Sequence, residues 1–532
     1  MENLPINIKE VTKIDNHGIG SGLCKLGVLS FESDKYICAR EVGQDGQVNV
    51  LILEMENNMN LQKKKLPKVD AAMMHPTKNI IVVRAKNDKN ATVLSVFDFD
   101  KEEKLKSLEI NHNITFWKWL NEETIGIVTD NSVLTLNIYN KDELVKKVFD
   151  KSGNLANSNV FVMYLFADKS LSWFSLAGIS SFKDNSGKPV INGYIQLYNT
   201  GVSQSQSLEG FCPSFGNLKV KDDGVSQLFS FIEKKSNSSK YTLMINEVSG
   251  DKNKFKITCE INIQEGDFPV SSNFVESYGL IFVTTNLGYL YIFEVSKGVL
   301  IFRCKASEEA CLFSARNNKT GGMFYITKSG KLLSANIEKG NLIPFLMQYC
   351  KNIDGIMDIC TSLAQRYEVP GAEKIFDSLF KNHMQSGNYE EAAKVCAMSP
   401  GTSLRNIDTI NLFKSCQGNP SPSLVYYQVI MSKGKLNEVE SVEIAKPLVM
   451  QNKKDYIENW FKEGKFTCSE ELADLIKPID NQLSLKILFQ ILSLIVNTLS
   501  LIHISSSILK LWIKILILAK ILVNCHMRKD EL

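Results

Sequence analysis

The sequence predicts a β-then-α protein, a seven-bladed β-propeller followed by an α-helical linker and the start of an α-solenoid. Three observations carry that prediction. Up to about Gly340 the apolar residues alternate in short runs bounded by Gly, Asn, Asp and Lys, as half-buried strands require. One phrase, a turn residue followed by alternating hydrophobics, occurs seven times in that stretch. After Pro344 the apolar spacing lengthens to the three-to-four of a helix.

The seven phrases occupy residues 46–53, 90–97, 130–136, 192–198, 238–245, 286–293 and 328–334. Their spacing of roughly 40 to 60 residues is close to that of a four-stranded propeller blade. A single β-sandwich is the competing architecture, but one of more than about 300 residues would be unusually large. Domain boundaries are therefore expected at 1–340 for the propeller, 341–395 for a helical linker, 396–485 for the solenoid and 486–532 for a divergent tail.

In the helical part, residues 371–387 place Ile375, Leu379, Phe380 and Met384 on one face and close on Gly387, a residue suited to the left-handed C-cap. Further helices are expected from Asn388, over 424–431 ending at Gly434, over 442–451, over 456–461 ending at Gly464, and from Ser469 as an N-cap. Short antiparallel helix pairs in series stack into a solenoid, because each pair buries its apolar face on the next.

Composition narrows the function classes. The chain has 532 residues, 44% of them hydrophobic, which is too much for one ordinary core. A net charge of +3 gives no reason to expect nucleic acid. Twelve cysteines without a Cys-x-x-Cys pair read as scattered buried thiols, and no metal or other cofactor is expected. The N-terminus lacks the basic start and apolar core of a secretory signal, so the body is expected in the cytosol.

Nothing in the chain suggests catalysis. The histidines, His17, His75, His112, His383, His503 and His526, are widely separated, and no phosphate-cradling Gly-x-x-x-x-Gly-Lys-Ser/Thr loop occurs. Gly18, Gly20 and Gly22 lie in no βαβ unit and read as a surface loop. Phe116, Trp117 and Trp119 stand at strand spacing and read as blade core rather than a ligand platform.

Four segments, 32–41, 115–119, 264–270 and 281–294, carry a resemblance to the clathrin heavy chain family that runs from Leu4 to about Leu485. The resemblance implies the same propeller, a linker and the first TPR-like clathrin repeats of the leg. It implies a non-enzymatic vesicle-coat protein whose propeller takes short adaptor motifs during coated-vesicle formation, endocytosis and intracellular protein transport. It also implies a cytoplasmic location on the cytosolic face of coated pits and vesicles, with membrane association only through adaptors. Light-chain and trimer partners would require the full leg.

Three binding sites follow from the resemblance alone. An adaptor-peptide groove between the first two blades, taking Leu-hydrophobic-x-hydrophobic-Asp/Glu segments, maps to Lys64, Leu66, Ile81, Val93, Ser95, Phe97 and Lys104; Ser95 replaces a glutamine and Glu102 stands where a lysine is usual. A top-face site for tryptophan-containing motifs maps to Leu26, Asn159, Phe161 and Ile179. A third groove, between blades four and five, maps to Trp173, Leu197 and Gln206, with Val202 in place of the family's arginine.

From Lys486 the pattern departs from the family. Residues 487–509 carry no charge and are long enough to span a bilayer, and the chain ends in the Lys-Asp-Glu-Leu of a luminal retrieval signal. The Ile, Leu, Lys and Asn bias favours a truncated or frame-shifted coding end. A membrane-anchored resident of the endoplasmic reticulum and a buried solenoid helix are the alternatives, and another propeller–solenoid coat or tethering scaffold is the rival function.

Overall fold

The computed structural model describes residues 3–501, except 45, 67, 88, 90, 141, 143, 184–186, 188, 222–223, 235–239, 249–254 and 400–402. Seven four-stranded antiparallel sheets follow one another along the chain. Blade 1 is Leu29–Ser30, Tyr36–Val42, Val48–Glu54 and Asn60–Lys65; blade 2 is Val69–Met74, Ile80–Lys86, Thr92–Asp98 and Glu103–Ile110. Blade 3 is Ile114–Trp119, Thr124–Thr129, Ser132–Asn137 and Lys146–Asp150; blade 4 is Phe161–Ala167, Trp173–Lys183, Pro189–Asn199 and Gln204–Glu209. Blade 5 is Phe211–Lys221, Gly224–Lys234, Tyr241–Glu247 and Lys256–Ile261; blade 6 is Pro269–Val275, Leu280–Thr285, Tyr289–Glu294 and Val299–Lys305. Blade 7 has three strands of its own, Cys311–Asn317, Gly322–Thr327 and Lys331–Ile337, and takes its fourth from the N-terminal strand Ile6–Lys13.

Each of the seven sequence phrases falls on the third strand of its blade; in the fourth, Asn192 and Gly193 lie inside the strand Pro189–Asn199 rather than in a turn before it, and the turn residues 90 and 238–239 lie outside the described residues. The N-terminal strand pairs antiparallel with the last strand of blade 7, Ile6 opposite Ile337, so the first and last strands of the propeller segment close the ring. Such closure leaves no sheet unpaired against its neighbour around the ring.

The core lies between blades, because both faces of each strand must be covered. Leu51, Leu53 and Ile37 of blade 1 pack with Ile326 and Leu332 of blade 7, while Val50, Ile52 and Cys38 on the other face pack with Ile81 and Val83 of blade 2. Alternate residues of one strand thus serve two junctions. Replacing a fully buried member such as Leu51 with Ala would cost about 2–5 kcal/mol.

The chain forms two compact units, residues 1–369 and 370–532. The first includes two helices beyond the propeller, Lys339–Tyr349 and Ile356–Tyr367. They sit on blades 5 and 6: the Phe345 ring packs edge-on to Phe302, with centroids 5.5 Å apart, and Arg366 Nη1 donates to Lys219 O and Val220 O. Tyr367 fills the space beside Gly279, where an added Cβ would lie 2.5 Å from the ring. Helix therefore begins five residues before Pro344 and runs through it.

The second unit contains helices Glu373–Gln385, Tyr389–Met398, Ile407–Ser415, Pro422–Lys433, Glu438–Met450, Lys454–Lys462, Glu470–Ile476 and Asn481–Leu501. The helix expected around Ile375 buries Ile375, Phe376 and Phe380, while Leu379 and Met384 are only half-buried. Asn437 caps the helix that follows it through a capping box with Glu440. Glu440 is fully buried and accepts from Arg405 Nε at 2.9 Å and from the Tyr426 hydroxyl. Burial and the Glu440 carboxylate push the Tyr426 hydroxyl far up, so it stays a donor.

The divergent tail expected at 486–532 lies partly outside the described residues. The apolar run from 487 is helical as far as Leu501, and residues 502–532, with the terminal Lys-Asp-Glu-Leu, are not described. Among the described residues, no helix is long and apolar enough to cross a membrane.

Candidate peptide grooves

Strand parity assembles the first predicted set. On the third strand of blade 2, Val93, Ser95 and Phe97 alternate on one face, and Phe97 stands opposite Ile81. Ile81, Leu66, Phe97 and Phe99 belong to the cluster that joins blades 1 and 2. On the outer strand of blade 1, Lys64 stands opposite Val50, a member of that cluster, and so turns toward blade 2. The Lys64 ammonium lies 5.1 Å from the Phe99 ring centroid, and the Lys104 ammonium lies 5.8 Å from that of Phe97. All seven residues therefore lie at the junction of blades 1 and 2, with Ile81 fully buried beneath the others and a cation on each side.

A bulge decides which lysine of blade 2 reaches the groove. Phe97 is opposite Lys104, but Val96 is opposite Lys106, so one extra residue lies between them. Lys104 faces blade 1, whereas Lys106 is buried toward blade 3, where its ammonium donates to Asn137 O and Asn140 O. The lysine run beyond Asn60 is divided in the same way. Lys63 turns to the opposite face and pairs with Glu41 at 2.6 Å. Ser95 is held by Ser107 at 2.9 Å, and Glu102 is exposed in the intervening turn with a left-handed φ of 53°. Phe99 and Ser107 are groove residues that sequence reasoning missed; the strand parity of Phe97 was the signal that could have found them.

The second set is divided. Leu26 and Phe161 open on an axial cavity of about 310 Å³ formed where the first strands of the blades converge. Ile179, opposite Phe161 in the sheet, lines a smaller recess with Tyr164 and Phe268 instead. Asn159, exposed in the turn before Phe161, lines neither. The aromatic run of blade 3 is split likewise: Trp119 is buried between blades 2 and 3, whereas Phe116 and Trp117 line the axial cavity. Beside them the Lys118 ammonium lies 3.8 Å from Glu32 and 5.4 Å from the Phe166 ring.

The third set faces one junction. Leu197 stands opposite Gln206 and packs with Ile195, Phe229 and Phe231, with Trp173 at the edge of the same cluster between blades 4 and 5. Val202 is exposed in the hairpin turn nearby. Among the described residues, no cluster of three or more His, Cys, Asp or Glu side chains could hold a metal ion.

A closed propeller with inter-blade grooves, followed in the chain by packed helix pairs, defines a propeller–solenoid protein. Comparison with known proteins narrows this. Residues 368–430 match the Clathrin-H-link family. The chain is 35% identical over 500 residues to the clathrin heavy chain of Dictyostelium discoideum, covering 92% of this chain and 28% of that protein. It is 33% identical to clathrin heavy chain 1 of Arabidopsis thaliana over 91% of this chain and 29% of that protein, and 32% identical to the probable clathrin heavy chain 1 of Caenorhabditis elegans over 91% and 28%. Among solved structures, the Myceliophteria thermophila Cps50 (Swd1) β-propeller domain overlaps 63% of this chain at a TM-score of 0.39 and 10% identity, too distant to add to the fold described above. The chain is a clathrin heavy chain homologue. It spans less than a third of the length of the curated relatives it matches.

Proposed function

We propose that this chain is the adaptor-reading part of a vesicle coat, acting in clathrin-coated vesicle formation on the cytosolic side of the membrane and performing no catalysis. The observation that carries the reading is the blade 1–2 junction, with half-buried Leu66 and Phe97, backed by buried Ile81, between the cations Lys64 and Lys104. An extended peptide lays alternate side chains into such a floor, and an acidic residue at either end meets an ammonium. Each contact is weak. In an assembled coat many such grooves act together, and effective concentration makes them sufficient.

On this reading residues 341–395 act as the linker and 396–485 as the beginning of a leg, while light-chain and trimer contacts belong to regions beyond them. The top-face and blade 4–5 sets are secondary sites, the latter weakened by Val202. Fluorescence polarisation of a labelled acetyl-Leu-Leu-Ser-Leu-Asp peptide against the full chain tests the proposal. Saturable binding that is lost when the aspartate becomes asparagine supports it. Binding indifferent to that change would remove the basis for assigning the groove to acidic adaptor motifs.

A further inference from the structure

We propose a further peptide-binding groove, between blades 3 and 4, for short extended segments that combine apolar anchors with acidic residues. Its cavity of about 410 Å³ is lined from blade 4 by Leu171, Phe174 and Tyr198, and from blade 3 by Thr124, Thr135, Asn137 and the strand bearing Lys146, Lys147 and Val148. A volume of that size holds two or three side chains. The wall chemistry resembles that of the blade 1–2 groove, an apolar floor with a cation on the rim, although no sequence motif links the two. The proposal goes beyond the adaptor reading, because it concerns a different junction.

Three features point to a ligand of this kind. Lys146 and Lys147 are both exposed on the outer strand of blade 3. Lys146 stands opposite Thr135 and so faces the groove, whereas Lys147 stands opposite Leu134 of the blade 2–3 cluster and pairs with Asp150 at 2.7 Å on that other face, which leaves Lys146 as the cation that meets a ligand carboxylate. The aromatic floor is rigid: Phe149 stacks on Tyr198 with centroids 4.7 Å apart and meets Phe174 edge-on.

The third feature is Leu171. It is half-buried and held at a left-handed φ of 56°, a conformation that opposes a bulky side chain. The turn is locked by Asp168, whose carboxylate accepts from Trp173 N at 2.6 Å and Ser170 N at 3.2 Å and whose carbonyl accepts from Leu171 N. Glycine would suit this backbone better, so the leucine side chain is kept in the groove against local preference. The competing explanation for the two lysines is protection of an outer strand against edge pairing. It does not bear on Leu171, which packs on the blade 3–4 core cluster where that cluster borders the cavity.

The probe is a biotinylated peptide alternating aspartate with photo-leucine, crosslinked to the full chain and mapped by mass spectrometry. Labels are expected at both junctions, around Leu66 and Phe97 and around Val148, Leu171 and Tyr198. Lys146→Glu should cut the second label by about fivefold or more and spare the first, since reversing a rim charge changes attraction into repulsion. Leu171→Gly should also lower the second label without lowering the thermal midpoint, which separates lost contact from lost fold. No label at blades 3–4 when blades 1–2 are saturated overturns the proposal, as does a label unchanged by the charge reversal. A label at blades 3–4 alone would uphold it while sinking the adaptor reading of blades 1–2.

Discussion

The groove between blades 1 and 2 and the groove between blades 4 and 5 are built on the same frame and differ in charge. In both, alternate residues of the third strand face the neighbouring blade over an apolar cluster. The first adds Lys64 and Lys104, each against an aromatic ring; the second presents Trp173 and Gln206, with the uncharged Val202 at its rim. The frame comes with the fold, because radially arranged blades repeat the same strand order and facing at successive junctions. Selectivity for an acidic peptide comes from the few side chains added to that frame.

The largest effect should come from reversing both cations. Lys64→Glu with Lys104→Glu is expected to weaken the acidic peptide by about 2–3 kcal/mol, at least about thirtyfold, through rim repulsion and loss of both charge-assisted contacts. Both side chains lie at the groove surface, so the thermal midpoint should barely move. Polarisation titrations at two salt concentrations check this; a double variant that binds like the parent would show that the cations are solvated bystanders.

Next is Phe97→Ala. It removes the central aromatic wall and the ring under Lys104, for an expected loss of about 2 kcal/mol in peptide binding. Phe97 is only half-buried, so the stability loss should be smaller than that of a fully buried phenylalanine. Comparing the peptide titration with a melting curve distinguishes the two losses. Equal effects on both would mean that Phe97 supports the blade rather than the ligand.

The contrast between the grooves also explains what the sequence made legible. The third strand of each blade was readable because a turn residue and period-two alternation occur together within eight residues. The strand Ile6–Lys13 was not, since its partner Lys331–Ile337 is more than 300 residues away and nothing local marks the pairing. Helix Lys339–Tyr349 was read late because Pro344 looks like a boundary, whereas the helix runs through it. In the blade 1–2 groove, Lys64 and Lys104 were assigned by likeness. The assignment of facing depends on the bulge beside Phe97, without which Lys104 and Lys106 would share one face. The blade 3–4 cavity carried no motif at all, because its walls come from strands and turns brought together only by the ring.

The blade 2–3 junction sharpens the comparison as a closed counterpart to the grooves. His75 is fully buried there: Nδ1 accepts from Thr77 N and Lys78 N, so the ring proton sits on Nε2, which meets Glu122 O at 2.6 Å. Trp119 packs edge-on against the ring. Burial first, then Lys78 and Lys35, pull its pKa below the ordinary histidine value, while the Glu122 carbonyl and carboxylate act the other way. The folded value lies below the unfolded value of about 6.5, so this contribution is complete above that pH and is lost as pH falls below it. One proton changes stability by at most about 1.4 kcal/mol per pH unit. His75→Gln, which retains an acceptor and a donor, should melt earlier at pH 7.5 yet show a flatter decline to pH 5. A parallel decline would assign the acid sensitivity to another group.

The smallest effect, and the most direct test of the comparison, is to give the second groove the charge it lacks. Val202 is 63% exposed in the turn after Asn199, whose side chain accepts from Gly201 N and Val202 N. An arginine there meets solvent rather than core, so the fold should tolerate it with a change within about 0.5 kcal/mol. Val202→Arg is expected to raise acidic-peptide labelling at Trp173 and Leu197 by roughly three- to fivefold, about 0.6–1 kcal/mol, chiefly through faster association. The gain should disappear at high salt, because an exposed charge acts through a screened field. A gain that persisted at high salt would mean that the arginine orders the turn. No gain at low salt would mean that the apolar frame of blades 4 and 5 has the wrong shape for the peptide, so that charge alone does not separate the two grooves.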